Sequence, residues 1–298
     1  MRPRQPFLVT GTIGLLLIPF EGAVSAQETV SAQETVPIHA QETVPNPARE
    51  RVLITARETV SISPDKRPTW MGDGVPDSVW MLVEESWTTD DEDLKLEILE
   101  RAETHARAAI EGHSDDVARR FAVVVVLAGR IEIEGGRTQV RTASEVHRRL
   151  EAILELDPQH ARARHVLGRL YAAIRRANWF TRWVATNLLG GGELKEATWE
   201  AAEEHLSFAE QQVPEVSGHH LQLAALYADT DRLELALQEV EHVFPWPVVS
   251  PSERSVWDEA LEVKEEWKRK LIRAAERELG CRSVGPNRVG RRRRVACE

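Results

Sequence analysis

The sequence predicts an all-α fold of stacked helical hairpins, and three observations carry that prediction. Its 298 residues are acidic overall, and the chain beyond the first third is dominated by Ala, Glu, Leu and Arg, a composition that favours helix. Apolar residues there recur at helical spacing, interrupted by Gly and Pro at intervals suited to helix ends. The one long β-branched run, Phe121–Leu127, sits inside a helical context and reads as a single fully buried helix. The expected architecture is an α-α superhelix of about four helix pairs plus a C-terminal capping helix, spanning residues 76–280.

The flanks read differently. Residues 1–26 resemble a secretory signal. Arg2 and Arg4 precede a 14-residue apolar run, Phe7–Phe20, and Val24-Ser25-Ala26 offers a cleavage site. That run is short of the ~20 residues a spanning helix needs, so an exported chain, periplasmic or extracellular, with no stable membrane span is expected. Residues 27–75 read as a disordered spacer. AQETV begins at Ala26, Ala32 and Ala40, with ARERV at Ala48 and ARETV at Ala56, and one or two apolar residues per unit bury too little surface to offset ordering. Residues 281–298 form a basic tail with Arg282, Arg288 and Arg291–Arg294. Cys281 and Cys297 are the only cysteines, and a disulfide, two free thiols or pairing with another chain all remain open. A net charge of −10 argues against nucleic-acid binding.

Helices are expected from Pro76 onward. Trp80, Val83 and Trp87 share a face. A long helix from Asp91 to Ile110 places Leu94, Ile98, Ala102, Ala106 and Ala109 on one stripe, with acidic residues at its positive end and Gly112 as its stop. Further helices run from Asp115 to about Ile133 and from about Thr138 to Leu156. The last runs from Ser252 to Leu279. Ser250 is its cap, Pro251 suits its first position, Glu253 completes a capping box, and Gly280 ends it. Ala260, Val263, Trp267, Leu271 and Ala274 form its buried stripe.

The middle of the chain resembles the tetratricopeptide (TPR) pattern, W-x2-L-G-x2-Y, then A-x3-F, then P. Leu167, Gly168 and Tyr171 fall on the first-helix positions, with Arg164 in place of Trp. Ala202, Leu206, Ala209 and Pro214 fall on the second. The next unit repeats this with Leu223, Ala224 and Tyr227, then Ala236 and Val240. From Tyr171 to Ala202 the spacing is 31 positions, whereas from Tyr227 to Ala236 it is nine, so the third pair carries an insertion of about 22.

Within Leu167–Pro214 the chain is similar to the regulator of microtubule dynamics family and its bacterial relatives. Leu167-Gly168-Arg169, Trp179-Phe180 with Arg182, Ala185, Leu188-Leu189-Gly190, Ala197-Thr198, Glu200-Ala201-Ala202, Ala209-Glu210 and Pro214 carry the likeness. The resemblance implies an all-helical TPR domain without known catalytic residues. Eukaryotic members are linked to microtubules and organelle membranes, some to lipid handling. An exported chain would not meet a cytosolic filament, so what transfers is the fold and a binding role.

The insertion and its surroundings are the candidate partner-binding site: Arg169, Arg175, Arg176, Trp179, Arg182 and Trp183. Trp and Arg together anchor recognition surfaces, and clustered Arg clasps carboxylate or phosphate. The competing reading is structural, with the tryptophans plugging the gap and the arginines paired to Glu200, Glu203 and Glu204. HExxH, GxSxG, Walker and dinucleotide motifs are missing, so neither catalytic residues nor a cofactor is expected. Glu239-x-x-His242 has the spacing of half a di-iron site, yet no second half follows, and no metal is expected. Of His219 and His220, one ring should pack and the other face water. A protein or peptide partner is the leading expectation for this scaffold. The alternative is a carrier of lipid or another small hydrophobic molecule, in a groove floored by Val123–Val126 and the tryptophans.

Overall fold

The computed structural model describes residues 66–177, 182 and 192–283, with side chains to residue 277. Nine α-helices are present among the described residues and no strand. They are α1 (Asp77–Trp87), α2 (Glu92–Ile110), α3 (Val117–Ile131), α4 (Gly136–Leu156), α5 (Ala161–Arg176), α6 (Trp199–Gln212), α7 (Ser217–Asp229), α8 (Leu233–Val240) and α9 (Pro251–Ser283). Each odd-numbered helix up to α7 packs on its successor, giving four consecutive hairpins, and neighbouring hairpins pack on one another. The expected all-α array is therefore what the chain forms. Residues 1–65, on which the expected signal and most of the spacer fall, Trp179, Trp183 and residues 284–298 of the expected basic tail lie outside the described residues.

Helix starts follow local chemistry. Asp91 caps α2 by accepting from Leu94 N, Asp116 caps α3 through Arg119 N, and Thr198 caps α6 through Ala201 N. At α5 the cap is His160, whose Nδ1 accepts from Ala163 N at 3.0 Å. That bond requires a neutral ring, and burial together with Arg162 lowers the His160 pKa accordingly.

The valine-rich α3 is buried on every side. Phe121 through Leu127 are all at 6% exposure or less, because α1, α2 and α4 surround the helix. Two expected stripe positions fall outside the core: Trp87 is 41% and Leu94 48% exposed. Each sits in a terminal turn of its helix, where helical phase alone does not bury it.

The spacer boundary needs correction. Residues 66–75 belong to the folded unit, since Met71 and Val75 are buried in the core. Gly72 and Gly74, at φ +73° and +86°, let this strap turn against the helices. A Cβ on Gly74 would come within 2.7 Å of that of Ala118. Arg162 donates to Thr69 O, while Thr69 N and Oγ1 both donate to Glu253.

The strap thereby meets the start of α9, where the predicted cap is realised in modified form. Ser250 Oγ accepts from Glu253 N, but the Glu253 carboxylate takes Val249 N instead of Ser250 N. Glu84 of α1 completes this junction, accepting from Ser252 N at 3.0 Å and from Ser252 Oγ. Burial raises the Glu84 pKa, outweighing the Ser252 hydrogen bonds that favour its charge. So α9 does more than cover the last hairpin: it packs on α7 and α8 and reaches back to α1. Its buried stripe holds from Trp257 to Trp267 and weakens to half-buried at Leu271 and Ala274. The helix also passes through Gly280 to Ser283, since one glycine costs only about 1 kcal/mol in a helix.

Candidate functional site

Arg162, Arg169 and Arg176 recur every seven residues on α5, two turns apart, and so lie along one stripe. Each has a different duty. Arg162 holds the strap. Arg169 pairs with Glu132 at 3.0 Å, with side chains 39% and 50% exposed. Arg176 Nε meets Asp229 Oδ2 at 2.7 Å, tying the end of α5 to the end of α7. Arg182 donates to the carbonyls of Arg175, at 3.0 Å, and Ala177, and thereby caps α5. Burial lowers its pKa, as does neighbouring Arg175.

Of the six residues singled out in the sequence, Arg175, Arg176 and Arg182 thus meet at the C-terminal end of α5, with Arg169 two turns earlier. Of the three glutamates expected as their partners, Glu200 has its pKa lowered by hydrogen bonds from its own backbone N–H and from Thr198 and by the Arg175 charge, and Glu203 accepts from both terminal guanidinium nitrogens of Arg232. Another acid comes from α9. Glu259 lies half-buried in the field of Arg169 and Arg176; burial raises its pKa while the two arginines oppose that rise.

The segment linking α5 to α6 returns through a 3-10 turn, Gly192–Glu196, whose Leu194 is buried together with Ala197. Beneath it α5 and α6 touch at their backbones. A Cβ on Gly168 would stand 2.7 Å from Leu206 Cγ and 3.0 Å from Ala202 O. Tyr171 is buried with its hydroxyl 3.0 Å from His147 Nε2, and burial pushes its pKa up to about 12. Val123–Val126, expected as a groove floor, are covered core residues instead. A cleft of about 260 Å³ lies over α3 and α4, and Arg120, Glu145, Arg148, Arg149 and Ala152 give it a charged lining.

Both histidines of the His219-His220 pair are buried, at 1% and 3%, which corrects the expectation that one faces water. His219 places Nδ1 3.2 Å from Val213 O and lies against His165, ring centres 4.5 Å apart. Burial, reinforced by Arg162, lowers its pKa to about 3. His220 has a different fate. Its Nε2 is 2.8 Å from Pro214 O and its Nδ1 2.7 Å from Glu239 Oε1. Burial pulls its pKa down, but Glu239 and the Pro214 carbonyl outweigh that and raise it. Glu210 Oε1 is 3.9 Å from His220 Nδ1, and His242 Nδ1 is 3.7 Å from Glu239 Oε2. Only the Glu239–His242 part of this cluster has a sequence pattern. His220 and Glu210 join it through packing of α7 against both α6 and α8.

Fold and site together define a helical-hairpin protein in which several ion pairs, among them Arg130–Glu103, Arg169–Glu132, Arg176–Asp229 and Arg232–Glu203, join one hairpin to the next. The family model Regulator of microtubule dynamics protein 1-3 matches residues 80–268, from within α1 to within α9, and the chain belongs to that family. A search of curated proteins found no match.

Proposed function

We propose that the chain is an exported, TPR-like scaffold that binds a protein or peptide partner non-covalently, with no catalytic step of its own. The observation that carries this reading is the arginine end of α5. Four guanidinium groups, Arg169, Arg175, Arg176 and Arg182, gather on or beside one helix where the inserted segment departs. Arg169 is the contact point, because its ion pair with Glu132 is half exposed and contributes only about 0–1 kcal/mol. A partner carboxylate can therefore replace Glu132 at little cost, and Trp179 and Trp183 of the insertion supply apolar anchorage. Arg176 and Arg182, already engaged within the chain, keep that surface in shape. The covered valines of α3 support a scaffold over a lipid carrier.

The test compares wild-type chain with Arg169→Glu by cross-linking and pull-down from the envelope and extracellular fractions to which the chain is exported. The proposal expects an acidic partner on the wild type, reduced at least tenfold by the charge reversal, with the circular dichroism of the chain unchanged. Equal capture by both, or a hydrophobic small molecule released from denatured native protein, would count against it.

A further inference from the structure

We propose that His220, Glu239, His242 and Glu210 form a binding site for a divalent transition-metal ion of the zinc class. The inference starts from the orientation of the His220 ring. Its Nε2 faces the Pro214 carbonyl at 2.8 Å, an acceptor only, so Nε2 carries the hydrogen. In the neutral ring the Nδ1 lone pair then points at Glu239 Oε1, 2.7 Å away. Two acceptors at that distance require a cation between them, and a proton or a metal ion meets the requirement. A ring nitrogen held by a backbone carbonyl while the other faces the ion is the usual outer-shell arrangement of a metal-bound histidine.

Glu239 and His242 meet His220 at one point, and Glu210 approaches the His220 side of it. Glu239 and His242 are three residues apart at the junction of α8 with the following 3-10 turn, His220 comes from α7, and Glu210 from α6. Ligand atoms of His220, Glu239 and His242 lie within 4.8 Å of one another. Bonds of about 2.0–2.1 Å in a tetrahedral site place neighbouring ligand atoms about 3.3 Å apart. The contacts of 2.7 Å from His220 Nδ1 to Glu239 Oε1 and 3.7 Å from His242 Nδ1 to Glu239 Oε2 lie on either side of that value, and Glu210 Oε1, 3.9 Å from His220 Nδ1, is the fourth ligand. Two imidazoles with carboxylates suit zinc, copper or nickel over calcium or magnesium, which prefer an all-oxygen shell.

Binding balances simply: the ion takes the place of the Nδ1 proton of His220, which leaves to solvent, and the charges of Glu239 and Glu210 neutralise the dication. His242, 60% exposed, is the entry side. A second cluster, His147 with Glu151 and Glu196, has one imidazole, and its Nε2 is engaged by Tyr171. It serves as the comparison.

The experiment uses the full chain without an affinity tag, titrated with cobalt(II) and with zinc(II). One equivalent of cobalt should give the intense visible absorption of a tetrahedral site, displaced by zinc, and zinc should raise the Tm. His242→Ala should weaken zinc binding at least tenfold and abolish the Tm increase, while His147→Gln leaves both unchanged. As His242 is exposed, its variant folds, and its Tm without metal verifies that. Absence of a saturable cobalt signal, or zinc binding equal in wild type and His242→Ala, would overturn the site and leave the His220–Glu239 contact as an ion pair.

Discussion

The third and fourth hairpins read alike in sequence, Leu-Gly-x-x-Tyr against Leu-Ala-x-x-Tyr, yet they are held together by different means. In α5–α6 the glycine admits backbone contact and Tyr171 is buried against His147. In α7–α8 the corresponding residue is Ala224, and Tyr227 is half-buried under the Arg232 guanidinium, 4.7 Å above its ring. Burial and Glu203 raise the Tyr227 pKa. The fourth hairpin is closed by a short turn with Asp231 at φ +58° and joined by the His220–Glu239 pair. A steric lock thus holds one pair and titratable groups the other. Repeat consensus positions specify where helices meet, not which force joins them.

Acid should break that comparison most strongly. The folded pKa of His219, about 3, lies below its ordinary value of 6.5, so its stabilisation is complete above pH 6.5 and is lost as pH falls toward 3. At up to about 1.4 kcal/mol per pH unit, the total reaches several kcal/mol. Urea midpoints from pH 7 to 4 should fall, less steeply in His219→Phe, and hydrogen exchange should rise first in α7. His220 works in the opposite sense. Its raised pKa makes its contribution complete below pH 6.5 and lost as pH climbs through the folded value.

Next in size is Gly168→Ala. The added methyl meets Leu206 and a backbone carbonyl, and overpacking of about 1–3 kcal/mol outweighs the better helix propensity of alanine. Equilibrium unfolding should show a net loss; a gain would mean that α6 moves aside freely. Ala224→Gly, the reverse exchange in the fourth hairpin, should cost about 1 kcal/mol on propensity alone, by the same measurement. The smallest effect is expected of Arg232→Ala. It removes a half-buried, two-bond pair with Glu203, the Nε bond to Thr230 and one ring contact. Together these contribute at most about 1 kcal/mol because both side chains stay partly solvated, and a double-mutant cycle with Glu203→Ala would isolate the first part.

Much of this arrangement is legible in the sequence because it is local. Helical period and cap residues locate α2, α3 and α6, and Leu167, Gly168 and Tyr171 place the third hairpin with its insertion. Ser250, Pro251 and Glu253 locate the start of α9. What the sequence hides is non-local. The strap has only three large apolar residues, Trp70, Met71 and Val75, among Pro and Gly, and without Arg162, Ser252 and Glu253 beside it the segment looks like spacer. His220 gains its meaning from Glu239 and Glu210 on other helices. The arginines of the candidate site were visible as a cluster, but which of them brace the fold depends on Asp229 and on the carbonyls at the end of α5.

The tie between Glu84 and Ser252 joins residues 168 positions apart. In an open-ended solenoid each repeat needs only its immediate neighbours, and units are gained or lost without harm. Here removing or adding one hairpin would pull the final helix away from the first and break the hydrogen bonds between Glu84 and Ser252. Repeat number is thereby fixed by the ends. A chain emerging from the ribosome also leaves α1 unfinished until nearly the whole domain has been made, which favours late, all-at-once folding.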